Sequence, residues 1–251
     1  MKTSFVFRRA IQALLPATLL LAACSKSDTP APAPVVVDNG KIVFVNAASH
    51  IPGATLKFNI ENSEKASLTY GSNSSYQTVQ TGSRVVVVNS GTQTVLTQPA
   101  ATIDKDKNYT FVATPAASSA VVGGQFFTDD LTSPTDPAKA RIRIINVAQV
   151  VVNPIRLSQI TTTAGGPVVV NIVGNTASNS ASAFTDFTPG DYALSILDNN
   201  NVAKAQLGSG TGAGTGTKLF QAGKLYTVIV SGTADSADPA QTLKAFLIQN
   251  N

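Results

Sequence analysis

Few residues of this 251-residue chain could do catalysis, because it contains one histidine, His50, and one cysteine, Cys24. A Ser/His/Asp or Cys/His site needs that histidine, and no Gly-x-Ser-x-Gly elbow occurs in the sequence. A zinc site of the usual kind needs several histidine or cysteine ligands. We therefore predict no catalytic residue, no bound metal and no cofactor, and we place His50 in an exposed turn beside Pro52 and Gly53.

Two acidic segments are the remaining candidates for a cation site. Asp104–Asn108 copies the first half of a calcium loop, but Tyr109 and Pro115 stand where that loop needs Gly and Glu. Asp129-Asp130, with Asp136 nearby, could place carboxylates around a hard cation between two domains. A charged turn and a solvated linker are the preferred interpretations, and calcium binding stays open.

The glycine-rich segment Gly208–Lys218 does not match a phosphate-binding loop. Its glycines all stand at even positions, so Gly-x-Gly-x-x-Gly cannot occur, and Lys218 is not preceded by glycine. We predict a flexible hairpin loop here.

Four tyrosines divide into two pairs. Tyr109 and Tyr226 hold equivalent places in two similar segments, which predicts core or corner tyrosines whose hydroxyls bond to backbone. Tyr70 and Tyr76 flank a loop of Gly, Ser and Asn. This pair is the candidate for an exposed ligand-binding platform.

Cys24 follows a segment typical of bacterial export. Lys2, Arg8 and Arg9 precede the apolar run Ala10–Ala23, which is too short for a comfortable membrane span. The motif Leu21-Ala22-Ala23-Cys24 resembles the bacterial lipobox, whose cysteine thiol is alkylated with diacylglycerol before the chain is cut there. We predict a cleaved signal peptide over residues 1–23 and a lipid anchor, with acyl chains such as palmitate, on Cys24.

Residues 24–38 are predicted to form a proline-rich tether between the lipid and the body of the protein. Ser25 is not the aspartate of an inner-membrane retention signal, so the outer membrane is favoured. Ser25–Asp28 faintly resembles the surface-export signals of Bacteroidetes lipoproteins. The sequence does not decide between the periplasmic face and the surface face of the outer membrane.

The rest of the chain predicts an all-β protein. Charged residues make up 13% of the sequence, and short β-branched or aromatic runs alternate with Gly, Pro, Asn and Ser. We predict two tandem antiparallel β-sandwich domains of immunoglobulin-like type, over residues 39–132 and 138–251. The proline-rich segment Ser133–Pro137 is the predicted junction.

The two predicted domains resemble each other in sequence. Lys41–Asn46 aligns with Arg141–Asn146, and Lys107–Val112 aligns with Lys224–Ile229, so the offset grows from 100 to 117 residues. Because the order is preserved, we predict that a whole domain was duplicated and that the second copy gained loop insertions.

Several segments are similar to the bacterial family known as domain of unknown function 4397 (DUF4397). They are Tyr70-Gly71-Ser72-Asn73-Ser74-Ser75-Tyr76, Lys107–Thr110 and, in the second copy, Gly190 and Gly223–Thr227. Ser49–Pro52 and Leu56–Phe58 are reduced forms of two further family segments, and the second copy lacks the Tyr-Gly segment. The resemblance spans residues 41–250 and implies exported, often lipidated β-sandwich modules in tandem, without any established activity.

Charge argues against one class of partner. Removal of Lys2, Arg8 and Arg9 leaves 15 basic against 14 acidic residues, so the net charge falls from +4 to +1. No basic patch remains for nucleic acid.

We predict a non-catalytic interaction module for a glycan, peptidoglycan or an envelope protein. The alternative is a structural envelope protein that associates through sheet edges. A hydrolase with paired carboxylates is least favoured, because the chain has no tryptophan to stack on a sugar.

Overall fold

Every regular element that the computed structural model describes is a β-strand. The structure describes residues 37–51, 53–116, 122–149, 154–207, 217–233, 237–239 and 241–251. The predicted signal peptide, Cys24 and nearly all of the tether lie outside these ranges, as does most of Gly208–Lys218. The all-β prediction is confirmed, and no membrane-crossing helix is found in the described part of the chain.

The described part of the N-terminal half contains ten strands: β1 (Asn39–Asn46), β2 (Leu56–Ile60), β3 (Ser63–Leu68), β4 (Gln77–Gln80), β5 (Gly82–Arg84), β6 (Val86–Ser90), β7 (Gln93–Thr97), β8 (Ala101–Ile103), β9 (Asn108–Thr114) and β10 (Gly123–Asp129). They form a sheet of order β10-β9-β1-β4, a sheet of order β3-β2-β6-β7 and the pair β5-β8.

In the C-terminal half, the residues that the structure describes form eleven strands: β11 (Ala140–Asn146), β12 (Ile155–Thr163), β13 (Gly166–Thr176), β14 (Ser180–Ala181), β15 (Thr185–Phe187), β16 (Gly190–Tyr192), β17 (Leu194–Leu197), β18 (Ala203–Leu207), β19 (Lys218–Phe220), β20 (Leu225–Ser231) and β21 (Lys244–Gln249). Its sheets are β14-β11-β20-β21, with β15 also on β11, then β13-β12-β17-β18, and the pair β16-β19. The strand order of the first half is thus repeated.

One strand pair in each half departs from the predicted antiparallel arrangement. β1 pairs with β9 in parallel, and β11 pairs with β20 in parallel, while the other strand pairs are antiparallel. A parallel pair cannot be joined by a tight hairpin and needs a crossover. The whole second sheet of each half supplies that crossover, because it lies between the paired strands in the chain.

Each half has its own hydrophobic core between its two larger sheets. In the first half, the rings of Phe44, Phe58 and Phe111 contact one another with centroids 5.4–6.1 Å apart. In the second half, Phe220 contacts Tyr226 with centroids 4.9 Å apart. Successive side chains of a strand point to opposite faces of the sheet, so every second residue of these strands faces the core.

Two polar features recur at the same places in both cores. The hydroxyl of Tyr109 accepts a hydrogen bond from the Asp104 N–H at 3.1 Å, and that of Tyr226 accepts one from the Gln221 N–H at 2.9 Å. The prediction of two corner tyrosines is therefore confirmed. Asn46 and Asn146 are both fully buried. The side-chain amide of each donates to a carbonyl of the other large sheet in its half and accepts from the backbone N–H two residues ahead.

A third apolar cluster joins the halves. It is built on the outer faces of the two sheets that contain β1 and β11, and its buried members are Val45, Ala47, Val112, Ile145, Val147, Ile229 and Ile248. β1 and β20 are therefore covered on both faces, and all seven residues of β20 are buried. This boundary between the halves is where several of the chain's polar side chains meet.

Candidate functional site

Tyr70 lies at the boundary between the halves and is half-buried. Its ring meets the ring of Phe246 edge-on, with centroids 5.2 Å apart, and Lys244 Nζ lies 5.4 Å from the Tyr70 centroid. Burial raises the pKa of Tyr70 to about 12, although the Ser231 hydroxyl beside it favours the ionised form. Tyr70 is therefore a neutral packing residue at physiological pH.

The loop after Tyr70 approaches the last strand so closely that one residue has to be glycine. Gly71 has φ +79°, and a Cβ there would lie 2.8 Å from Cε1 of Phe246. A side chain would thus be strained by its backbone conformation and would collide with the ring. The Tyr-Gly pair fits the loop of the first half against β21 of the second.

Tyr76 also lies at the boundary, and its hydroxyl is bonded twice. It donates to Asp129 Oδ2 at 2.5 Å and accepts from Asn250 Nδ2 at 3.1 Å. Burial raises the pKa of Tyr76, and the charge of Asp129 and the bond to it raise the pKa further, against the opposing effects of Asn250 and Arg143. The hydroxyl therefore keeps its proton and serves as a fixed donor.

A buried ion pair holds the centre of this network. Arg143 bonds to Asp129, and their side chains are 3% and 0% exposed. Thr110 Oγ1 donates to both carboxylate oxygens at 3.0 and 2.8 Å, while Arg143 Nη1 donates to the Thr128 carbonyl at 3.0 Å. Such a pair stabilises a fold only when its remaining polar atoms are also bonded, which is the case here for the carboxylate.

The network has matching positions in the two halves but different residues. Asp129 and Asn250 are equivalent, because each follows or ends the last strand of its half and accepts a hydrogen bond from Thr110 or Thr227. Arg143 Nε donates to Thr227 Oγ1 at 3.0 Å, so the arginine touches both threonines. The ion pair thereby links the two halves across their boundary.

These contacts correct the expected exposure of Tyr70 and Tyr76. The exposed platform that the Gly/Ser/Asn loop predicted is half-buried, because the second half packs over it through β21. Ligand binding by the two tyrosines stays a prediction. What they demonstrably contact is the other half of the same chain.

An open polar cleft of about 660 Å³ lies beside the ion pair. Its lining residues are Asp106, Lys107, Asn108, Thr128, Asp129, Asp130, Leu131 and Thr132. The hydroxyl and backbone N–H of Thr132, helped by Arg141, hold the pKa of Asp130 below its usual value. The cleft thus offers anionic and neutral hydrogen-bond acceptors, and one ammonium group, to a polar ligand.

The two acidic segments border this cleft. Residues 104–107 form a turn before β9, which begins at Asn108, and Asp106 has φ +58° in this turn, so the predicted charged turn is confirmed. Within the described ranges, no group of three or more His, Cys, Asp or Glu side chains is placed to hold a metal ion. His50 is half-buried in its turn, which corrects the exposure predicted for it.

The family that matches the chain covers this first half and reaches into the second. Residues 40–153 match the family model of DUF4397, a domain of unknown function. The resemblance predicted from the sequence is confirmed over that segment. The DUF4397 segment includes both Asp129 and Arg143, so the ion pair lies inside the matched residues.

Two solved structures are similar to the chain at low identity. A proposed cell adhesion protein from Bacteroides uniformis is 11% identical, with 86% of this chain and 98% of that one covered and a TM-score of 0.25. A leucine-rich repeat protein from Bacteroides thetaiotaomicron is 10% identical, with 82% of this chain and 26% of that one covered and a TM-score of 0.20. No curated protein matches the chain.

Sequence reasoning missed the ion pair of the DUF4397 segment. The sequence predicts a solvated linker around Asp129, whereas Asp129 ends β10 and is buried. The signal that could have found it is Arg143, which stands between Ile142 and Ile144 in a strand whose neighbour β20 is buried at all seven residues. An arginine inside such a strand needs a buried partner.

Proposed function

We propose that the protein is a non-catalytic lipoprotein of the cell envelope, which presents a rigid β-body to a glycan, to peptidoglycan or to an envelope protein. One observation carries this proposal. Three side chains suited to proton transfer or charge stabilisation are buried and bonded to one another, namely Asp129, Arg143 and Tyr76. Groups held in this way lock a scaffold and are not free to transfer protons to a substrate.

The body is best described as two tandem β-sandwich domains of immunoglobulin-like type that share a boundary. The repeated strand order and the two separate cores support this description. The ion pair and the apolar boundary cluster support a fixed orientation of the two domains. A rigid scaffold of this kind presents loops and clefts to a partner at a low entropic cost.

The anchor rests on Cys24. The lipobox-like motif Leu21–Cys24 and the proline-rich tether over residues 24–38 support attachment through lipid, with the body held away from the bilayer. Ser25 supports the outer membrane as the location. The membrane is thus the first partner of the protein, through its N-terminal lipid.

The open cleft beside the ion pair is the favoured ligand site. Its acceptors and its lysine suit a hydroxyl-rich ligand such as a glycan or peptidoglycan. Hydrogen bonds to charged groups are the stronger kind, so Asp106 and Asp130 are the residues to test.

Protease shaving of intact cells tests the anchor and the location. Digestion of the wild-type body from outside is expected if the protein faces the environment, and protection until the outer membrane is opened would assign it to the inner face. The Cys24→Ala variant is expected to lose both membrane attachment and labelling by palmitate. If the Cys24→Ala variant stays bound to the membrane, the prediction of a lipid anchor on Cys24 is wrong.

Pull-down on isolated peptidoglycan and on polysaccharide beads tests the ligand site. Residues 25–251 are expected to bind one of these glycans, and Asp106→Ala with Asp130→Ala is expected to weaken binding. Asp191→Ala, at an exposed residue of β16 outside the cleft, is the matched control. Equal binding by all variants would rule out the cleft as the site.

A second candidate function is a structural envelope protein that associates through a sheet edge. It is favoured by β13, a strand of 11 residues at the edge of its sheet. Edge strands of this length offer unpaired backbone groups to other chains.

A further inference from the structure

The β12–β13 hairpin extends beyond the sheet to which it belongs. β17 pairs with β12 only from Arg156 to Gln159, whereas β13 pairs with β12 as far as the tip at Thr163 and Gly166. The outer part of the hairpin, which we call the ribbon (160–163 and 166–169), is therefore two-stranded. An isolated two-stranded ribbon is marginal in water, and a third strand stabilises it.

The ribbon and Val170 at its base expose apolar side chains on both faces, beside the exposed threonines 161–163. Val168, Val169 and Val170 are consecutive, so their side chains alternate between faces, and they are 45%, 38% and 46% exposed. Ile160, which pairs with Val169, is 37% exposed. Exposed β-branched residues in a strand edge are a surface that another strand would cover.

The backbone of β13 also faces outward at defined positions. Pro167 has no N–H and lies within β13, so its nitrogen must face the free edge and not β12. Because outward-facing positions alternate along a strand, Val169 also directs its N–H and carbonyl to the free edge. Among the described strands none pairs with this edge of β13, so the ribbon presents both apolar side chains and unpaired backbone groups.

The same place in the first half is protected. β3 has six residues, and it carries Glu64 and Lys65, with Glu64 paired to Lys57 at 3.1 Å. Charged residues on a short edge strand oppose association with another strand. Residues 157–185 of the second half contain no charged side chain. The bulges of the β12–β13 pair lie near its base, at Ile155–Ser158, and leave the ribbon regular.

We infer that the free edge of β13, from Pro167 to Asn171, is a self-association surface, at which two copies of the chain pair β13 antiparallel across a two-fold axis. The occupant is a second copy, because an uncharged run of valines is complementary to itself. Self-pairing brings valine against valine and no like charges together. Two ribbons joined in this way form a continuous four-stranded sheet. This inference rests on the second candidate function, and neither the lipid anchor nor the polar cleft is needed for it.

Sedimentation equilibrium of residues 25–251 tests the inference, since all described strands and cores lie in the compact unit Val37–Asn251. The wild type is expected to form a dimer in a concentration-dependent manner. Val169→Pro removes the outward N–H without removing a bond to β12, and Val169→Lys adds a charge to each copy. Both are expected to weaken the dimer at least about tenfold, or about 1.4 kcal/mol. Val202→Lys is the control, because Val202 is 48% exposed in a turn outside the ribbon.

Hydrogen exchange of the wild type gives a second readout that requires no substitution. The Val169 amide is expected to exchange slowly when the protein is concentrated and quickly when it is dilute, because only a partner strand bonds it. A wild type that is monomeric up to about 1 mM would overturn the inference. So would a dimer that both Val169 variants leave unchanged, because another surface would then hold the copies together.

Discussion

β3 and β13 occupy the same place in the two halves of the molecule, yet they differ in length and in charge. β3 has 6 residues and two charged side chains, whereas β13 has 11 residues and none. At the boundary, Val43 of the first half corresponds to Arg143 of the second, and Asp129 corresponds to Asn250. The interiors differ as well, since Phe44 and Phe111 correspond to Ile144 and Val228, but Asn46 and Asn146 make the same bonds. The halves thus share the buried asparagine, and they differ in core side chains, at the sheet edge and at the boundary.

The largest expected effect comes from giving the first half the residue of the second. Asp129→Asn removes the charge opposite Arg143, which is buried and then uncompensated. We expect a loss of about 3–5 kcal/mol in the free energy of unfolding, measured with urea. The double variant Asp129→Asn with Arg143→Val gives each position the residue type of its counterpart in the other half, Asn250 and Val43. It is expected to recover most of the loss. A loss under about 1 kcal/mol in the single variant would contradict the role of the pair.

The next effect tests what the halves share. Asn46→Ala and Asn146→Ala each leave one buried carbonyl and one buried N–H without their amide partner. We expect each to cost about 2–3 kcal/mol of stability, and the two costs to be similar. Urea unfolding of the two variants side by side is the measurement. Costs that differ by more than about 1.5 kcal/mol would show that the two cores are not equivalent.

A smaller effect depends on pH. The folded pKa of Tyr76 lies above its ordinary value of 10.0, so its contribution is complete below pH 10 and is lost as pH rises further. Between pH 10 and 11 the loss is at most about 1.4 kcal/mol. Tyr76→Phe is expected to remove most of this pH dependence, seen in thermal unfolding at both values. Tyr192→Phe, which deletes a hydroxyl bonded to Thr188 away from the boundary, is the control. If Tyr76→Phe keeps the pH dependence of stability that the wild type shows, Tyr76 is not its source.

The smallest effect on stability sharpens the comparison of the two edges. Glu64→Thr with Lys65→Thr removes the charges of β3, whose ion pair with Lys57 is exposed. We expect unfolding to change by no more than about 0.5 kcal/mol. If charge protects this edge, the variant should associate more strongly than the wild type in sedimentation. An unchanged molecular mass would show that the shortness of β3 already suffices.

The sequence was sufficient to predict features that depend on neighbouring residues in the chain. The strands, the repeated order and the corner roles of Tyr109 and Tyr226 follow from alternation and from local turns. The burial of Asp129 and Tyr76 did not follow, because their partners Arg143 and Asn250 come from the other half. The parallel β1–β9 pair was missed for a similar reason, since antiparallel hairpins are the default for neighbouring strands. One unused signal was Ile42–Val45, a run without polar residues that indicates a strand covered on both faces.

The bond between Ser231 and the carbonyl of Ala47 joins residues that are 184 positions apart. Together with the contacts of Phe246 and Asn250, it means that the first half gains its last neighbours only when the end of the chain has been made. Until then the apolar outer face with Val45 and Val112 is open to water. Non-local contacts of this kind slow folding. The first half alone would therefore be an aggregation-prone intermediate, and a truncated protein that ends before β20 should need a chaperone to stay in solution.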